Sequence, residues 1–571
     1  MSTPRCRVAV VGAGPRGLAV AVQLTACTGI ETHLIDPRPG GVVWDPAQDP
    51  ELLMNSRTRQ ATVFADDTVD AAPATRGPSF AQWCARYGSS LPPGPAAEAA
   101  GRGPDDFASR SLFGRYLRWV LERLTQQGVH VHPHRVTALR EIADGTQELT
   151  LNTGEKLTAD RVVLALGHLP AAPTAPEQAL ARSAHEHHLV HVPAGPATAA
   201  SLRALPAGAD VAVLGTGLNF YDLLALVTQG RGGQFERHQG RLTYCPSGQE
   251  PVLHIGSGRG VPYLARAVTP APVTLEIVTD DRVAQWCAAD GTLSFADDVW
   301  PLVSAELARV WRAAGADTAL DLDALLDPFA GSGPAGSADL TARLRDLLRA
   351  DLDSALAVPR GPMTAVGEAL AVLKDRVRTV VAAGGFSRES VRGDLQGWFR
   401  SVGAFVAAGP PALRVEQALA LLEAGLLRAL GAGVRVTASG PEGFVVRGRD
   451  LAGPVTVQAL VHARLPADDA GSTTDPFVRE LVRGGYAHVR DGGLVSVRSR
   501  PGTLTGPGAT ACRLVDRDGD ASGRRFVIGL PVQPQEWNIA NLPQPDRADR
   551  TLVQACSIAD QIVTAAEPVV R

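Results

Sequence analysis

Lysine is almost missing from this sequence. Lys156 and Lys374 are the only two, so arginine makes up nearly all of the 55 basic residues. A GC-rich coding genome accounts for that bias, and the arginine count alone says nothing about anion binding. Basic tracts and arginine stripes interleaved with aromatics are missing too, and 59 acidic residues bring the net charge to −4. Such a balance leaves no electrostatic footprint for a nucleic-acid partner. The seven cysteines, at 6, 27, 84, 245, 287, 512 and 556, are scattered, odd in number and never spaced C-x-x-C. This argues against a disulfide framework, a zinc site and a dithiol redox centre, and no metal is expected. The longest apolar run is the first strand–helix unit, broken by Pro15 and Arg16, so no membrane span is expected. The chain enters its first strand within eight residues, which leaves no room for a signal peptide and makes a reducing cytoplasm the expected compartment.

What is present is glycine placed after short β-branched runs. Residues 7–37 read RVAVVGAGPRGLAVAVQLTACTGIETHLIDP. Val8 to Val11 is a buried parallel strand by composition. Gly12-Ala13-Gly14-Pro15-Arg16-Gly17 fits G-x-G-x-x-G, and a helix from Leu18 to Thr25 and a strand from Thr32 to Ile35 follow. Gly12 permits the tight turn, Gly14 lets a pyrophosphate approach the backbone, and Gly17 lets the helix pack closely on the sheet. The helix N-terminus offers free N–H groups and partial positive charge to the phosphates. Asp36 sits about 20 residues past the last glycine, where an acid hydrogen-bonds a ribose 2′-OH.

A second loop follows Asp210 to Leu214. Gly215-Thr216-Gly217-Leu218-Asn219-Phe220 keeps two glycines and replaces the third by Phe220. Arg241 to Cys245 reads as the next strand, ending in Pro246-Ser247-Gly248-Gln249 with no acid at the ribose position. Ser247 and the nearby Arg259 then favour a 2′-phosphate, hence NADPH over NADH. Gly215, Gly217, Asn219, Ser247 and Arg259 form the expected second cofactor site, and two phosphate-cradling loops in one chain are far more specific than one.

The length of 571 residues predicts three or four domains. The fold class is α/β, with two Rossmann-like dinucleotide-binding domains and a mostly helical insert. Residues 1–205 and 500–571 are expected to form the FAD domain, 206–280 and 432–499 the NADPH domain, and 281–431 the insert. Within the insert, segments such as Ser304 to Ala314, Asp339 to Ala357, Ala365 to Ala382 and Leu413 to Leu430 have helical apolar spacing. Residues 71–106, rich in Ala, Pro and Gly, read as a surface excursion. His168 at a strand end and the cluster His185, His187, His188 read as incidental or solvated.

Pro39-Gly40-Gly41-Val42-Val43-Trp44 resembles the G-G-x-W segment of flavin-containing and Baeyer–Villiger monooxygenases, with one extra residue before Trp44. LLMNSRTRQATVFAD at 52–66 is similar to a bacterial FAD/NAD(P)-binding family that includes amino-acid N-monooxygenases, some of which oxidise aspartate to nitrosuccinate. The resemblance covers nearly the whole chain and is strongest over 8–66, 211–263 and 391–414. It implies that Trp44, Met54 and Asn55 lie by the isoalloxazine. It also suggests that Arg57 and Arg59, alternating along an extended segment, share one face and hold a small acidic amino acid. The expected activity is N-hydroxylation with FAD, NADPH and O₂ through a C4a-hydroperoxyflavin, L-aspartate first and on to nitrosuccinate. No catalytic residue is required for oxygen transfer itself. The alternatives are a Baeyer–Villiger or S-oxidising enzyme, whose F-x-G-x-x-x-H fingerprint is missing, or a non-catalytic flavin-binding redox sensor. The usual Gly-Asp that closes an FAD domain reads Gly529-Leu530-Pro531 here.

Overall fold

The computed structural model describes residues 6–70, 75–331, 333–500, 503–505 and 508–566; residues 71–74 of the expected excursion lie outside these. The strands are β1 (Cys6–Val11), β2 (Ile30–Ile35), β3 (His130–His132), β4 (Val136–Glu141), β5 (Gln147–Leu151), β6 (Lys156–Ala159) and β7 (Arg161–Leu164). Next come β8 (Val190–Val192), β9 (Asp210–Leu214), β10 (Gln234–His238), β11 (Arg241–Cys245) and β12 (Val252–Ser257). The last group is β13 (Leu427–Ala432), β14 (Arg435–Gly440), β15 (Gly443–Arg447), β16 (Val455–Val457), β17 (Ala459–His462), β18 (Val489–Arg490), β19 (Gly493–Leu494), β20 (Arg513–Val515) and β21 (Ala521–Val527). The helices used below are α1 (Pro15–Thr25), α2 (Arg110–Gln126), α3 (Leu218–Val227), α4 (Trp300–Ala313), α5 (Ser337–Leu356), α6 (Pro362–Ala383), α7 (Ala412–Glu423), α8 (Pro476–Arg483) and α9 (Arg550–Ala566).

The first sheet has the order β20-β21-β7-β1-β2-β3. All its pairs are parallel except β20–β21. Valine and leucine bury both faces of its centre, as a sheet covered on two sides requires. On one face, Leu18 of α1, Phe113 and Tyr116 of α2 and Ile558 of α9 share a core. On the other, the antiparallel β4–β5–β6 meander and α8 bury Leu149, Phe477 and Leu481 against Val162 and Leu164.

The second sheet, β13-β12-β9-β17-β8, is wholly parallel. Helices α4, α5, α6 and α7 pack in a single core with it, through residues such as Leu307, Leu344, Leu373 and Val415. Among the described residues no helix is long and apolar enough to cross a membrane.

Four segments depart from the expected layout. Arg241–Cys245 is not a strand of the second sheet; it pairs antiparallel with β10 in a hairpin. The parallel strand after α3 is β12, whose VLHIGS is buried at its four central positions, whereas β11 is exposed at both ends. The helix expected to run to Leu430 stops at Glu423, where Gly425 takes φ +75°, and β13 follows as a strand of the second sheet. Strand β8 joins the second sheet although it precedes residue 206. Finally, Ala470, Phe477, Val478, Leu481 and Leu494 share their core with the first sheet, so this stretch packs with the first unit and not the second.

Candidate cofactor and substrate site

Strand β1 ends where Gly12 turns at φ +108°. A Cβ there would sit 2.4 Å from the Ala165 carbonyl oxygen, and one on Gly17 would sit 1.8 Å from the Gly12 carbonyl oxygen. Those two positions therefore admit only glycine. Gly14 is different: a Cβ would meet nothing within 4 Å. The space above Gly14, at the start of a helix whose N-cap carries no side-chain hydrogen bond, is where an anion fits best. Asp36 closes β2; its Oδ2 accepts from the Ala13 N–H at 2.8 Å and its Oδ1 from the Arg38 N–H at 2.7 Å. Burial raises its pKa against those two hydrogen bonds.

Gly40 and Gly41, both at positive φ, fold back on this loop. The Gly40 N–H donates to the Ala13 carbonyl at 3.1 Å, and a Cβ on Gly41 would lie 3.4 Å from the Gly14 Cα. Trp44 follows, half-buried and edge-on to Phe113 at 4.8 Å. Met54 is buried, its N–H bound to the Ala108 carbonyl at 2.9 Å. Asn55 is half-buried and its side chain bonds to no described residue. Arg16 was missed by sequence reasoning. Burial lowers its guanidinium to about 10, its Nη2 donates to the carbonyls of Ile539 and Asn541, and it packs under Gly529. The segment after the closing strand is thus held over α1 by an arginine.

The second cradle repeats the turn. Gly215 takes φ +113°, and its Cβ would lie 2.9 Å from the Ala463 carbonyl oxygen. A cleft of about 660 Å³ opens here, lined by Gly215, Gly217, Ser257, Arg259, Tyr263 and Arg464 among others. Arg259 lies over the Phe405 ring at 4.5 Å and its Nε donates to the Leu326 carbonyl at 2.6 Å, which leaves both Nη groups without a described partner. Burial lowers its pKa. Ser247 is a correction. Its N–H and Oγ bind Glu250 Oε1 at 2.8 and 2.9 Å in the turn after β11, and it does not line the cleft. Ser257, at the end of the true second strand, takes its place. Asn219 lines the cleft with its amide engaged: Oδ1 accepts from the Ala197 N–H and Nδ2 donates to the Gly195 carbonyl, both at 2.9 Å.

Arg57 and Arg59 do not share a face, because residues 58–60 form a 3₁₀ turn rather than an extended run. Arg57 is buried; its Nη1 donates to the Asp105 carbonyl and its Nη2 to the Ala267 carbonyl, each at 2.6 Å. Arg59 pairs with Asp105 at 2.7 Å, about half exposed. Beyond Arg57 lie Arg266 and Lys374. Burial lowers Arg266 to about 10, with Arg57 adding, and lowers Lys374 to about 8, with Arg266 adding. Arg266 Nε donates to the Gly409 carbonyl and Lys374 Nζ to the Gly403 carbonyl, both at 3.1 Å. The two Nη groups of Arg266 and the other Nζ hydrogens have no described partner.

His168 Nδ1 is 3.0 Å from Asp468 on the surface. It serves that ion pair.

A family model described as FAD-NAD(P)-binding matches residues 9–169. A protein of Streptomyces davaonensis described as L-aspartate N-monooxygenase (nitrosuccinate-forming) is 34% identical over 98% of this chain and 97% of its own length. One of Streptomyces cremeus with the same description is 35% identical over 99% of this chain and 96% of its own. The nitrosuccinic acid synthase npaA of Aspergillus oryzae is 32% identical over 99% and 94%.

Proposed function

Because this chain belongs to the family of nitrosuccinate-forming L-aspartate N-monooxygenases, we propose that it N-hydroxylates L-aspartate with FAD, NADPH and O₂ and carries the product on to nitrosuccinate. The observation that carries this reading is the end-to-end match to those relatives by a chain with two phosphate cradles. One oxygen atom goes to the substrate nitrogen and the other leaves as water, with NADPH supplying the electrons. FAD, bound and reduced, supplies the oxygen-activating chemistry.

The residues of this chain bind, orient and shield. The backbone around Gly14 and the start of α1 take the FAD pyrophosphate, and Asp36 takes a ribose hydroxyl. Arg259, with two free Nη groups beside Ser257, takes the 2′-phosphate that separates NADPH from NADH. Arg57 spends its donors on carbonyls and Arg59 on Asp105, so neither is left for the substrate. Arg266 and Lys374 take the two carboxylates: partly and fully buried cations with unfilled donors mark where an anion is wanted. The seven free thiols suit the reducing cytoplasm expected for the chain.

The test is substrate-stimulated NADPH oxidation by the yellow holoenzyme, with the product identified by mass. Aspartate should stimulate oxidation and yield N-oxygenated succinate derivatives. A protein that ignores aspartate yet hydroxylates lysine or ornithine overturns the acidic substrate and keeps the N-monooxygenase. Arg266→Gln and Lys374→Met should each raise the KM for aspartate roughly tenfold and leave the KM for NADPH unchanged, since each removes a hydrogen bond to a charged group.

A further inference from the structure

Glu31 and His33 alternate along β2, and His130 and His132 alternate along β3. The parallel register sets His33 beside His130 and Ile35 beside His132. Side chains two apart on a strand share a face, so all four point to one side at the edge of the first sheet.

His33 is buried. Its Nε2 lies 2.6 Å from Glu31 Oε1, and its Nδ1 lies 2.9 Å from His132 Nε2. The rings of His130 and His132 stack on it at 4.8 and 5.1 Å, tilted by 18° and 23°. One donor atom each from Glu31, His33 and His130 falls within 4.8 Å of the others. Hydrogen bonding from His33 and the charge of Arg7 outweigh burial and lower the Glu31 pKa, which keeps it a carboxylate. Burial, with the other imidazoles adding, lowers His33 and keeps it neutral. A neutral imidazole and a carboxylate are the metal-binding forms.

Neutral His33 carries one N–H. When its Nδ1–H donates to His132, the Nε2 lone pair faces the Glu31 carboxylate, and two acceptors that close need a cation between them. A proton fills that gap in the other tautomer; a metal ion fills it in this one. We propose that Glu31, His33 and His130 form a divalent transition-metal site, with His132 as the partner that sets the tautomer of His33. Imidazole with carboxylate suits Zn²⁺, Ni²⁺ or Co²⁺ over Mg²⁺ or Ca²⁺. Three protein ligands, with His130 exposed, leave one position open to water. Arg7, whose Nε is 3.1 Å from Glu31 Oε1, opposes the ion, but its Nη1 is drawn off to Thr158; His134 and Glu155 are the other charged or titratable groups that act on His132. The site clasps β3 to β2 next to Asp36, whose N–H donates to the His132 carbonyl at 3.1 Å. It stiffens the ribose end of the first cradle, whatever the substrate.

The probe is Zn²⁺ added to chelator-treated, FAD-loaded full-length enzyme and followed by calorimetry and thermal unfolding. One Zn²⁺ should bind per chain, saturably, and raise the unfolding midpoint. Lowering the pH from about 8 to about 6 should weaken it, because a proton competes for Nε2. His130→Ala, at an exposed position that leaves the fold intact, and Glu31→Gln should each weaken binding at least about tenfold, and His132→Ala by a smaller factor. His185→Ala should change nothing. Absence of saturable binding to the wild type, or binding unchanged in both His130→Ala and Glu31→Gln, overturns the site.

Discussion

The two nucleotide cradles begin alike and part at the third position of their loops. Gly12 and Gly215 turn through the same left-handed backbone, and each faces the carbonyl of an alanine just past a neighbouring strand, Ala165 after β7 and Ala463 after β17. In the first cradle Gly17 lies so close to the Gly12 carbonyl that no side chain fits. In the second, Phe220 occupies the matching place, wholly buried with Val211, Val213 and Ile255. The first two glycines thus answer to turn geometry and ligand approach, which both cradles share. The third answers to how near the helix sits to its strand, and that distance can differ. The strands that follow the helices differ in chemistry: an acid at Asp36, a serine and an arginine at Ser257 and Arg259.

Four experiments break or sharpen this comparison. The largest effect belongs to Gly17→Val, which drives a Cβ into a backbone oxygen; no folded flavoprotein should be recovered, as judged by soluble yield and far-ultraviolet circular dichroism. Next come Gly14→Val and Gly217→Val. The first should fold but lose its flavin absorbance, since the new side chain fills open space above the helix. The second should keep its flavin and lose reduction by NADPH while dithionite still reduces it; loss of flavin instead would exchange the two assignments. Phe220→Ala should lower stability by about 3–5 kcal/mol in denaturant titration, as burying a cavity in place of a ring does. A change below about 1 kcal/mol would mean that the helix moves in and the ring is not what holds it off. Arg259→Ala should have the smallest effect, a rise of roughly tenfold in the KM for NADPH with that for NADH unchanged, the worth of one hydrogen bond to a charged group. Equal change in both would move the 2′-phosphate elsewhere.

The first cradle was legible because everything that makes it is local: strand, turn, helix and acid lie within a few dozen residues, and each glycine has its own steric reason. The second was half legible. RLTYC and VLHIGS are both five or six residues of mixed apolar and polar character, and only pairing tells a hairpin arm from a central parallel strand. Choosing the first carried Ser247 into the site and left Ser257 out. Arg57 and Arg59 were placed on one face by assuming an extended backbone, and a turn at 58–60 separated them. Gly425 ended a helix whose apolar spacing runs on into β13, since leucine and alanine suit either state. The histidines of β3 alternate visibly, but their neighbours on β2 come from a distant stretch, and no spacing along the chain announces the cluster.

The position of β21 has a consequence for synthesis. It lies against β7 in the first sheet, yet it is made only after the whole second sheet and the helical insert. While the nascent chain leaves the ribosome, the open edge of β7 stays without its neighbour until more than half of the protein has followed. Domains otherwise tend to fold from the N-terminus as they emerge. Here the flavin unit cannot finish before the other is complete, and a bare parallel edge is a place where another chain can pair. Truncation ahead of residue 513 should therefore yield aggregates rather than an independent flavin-binding fragment.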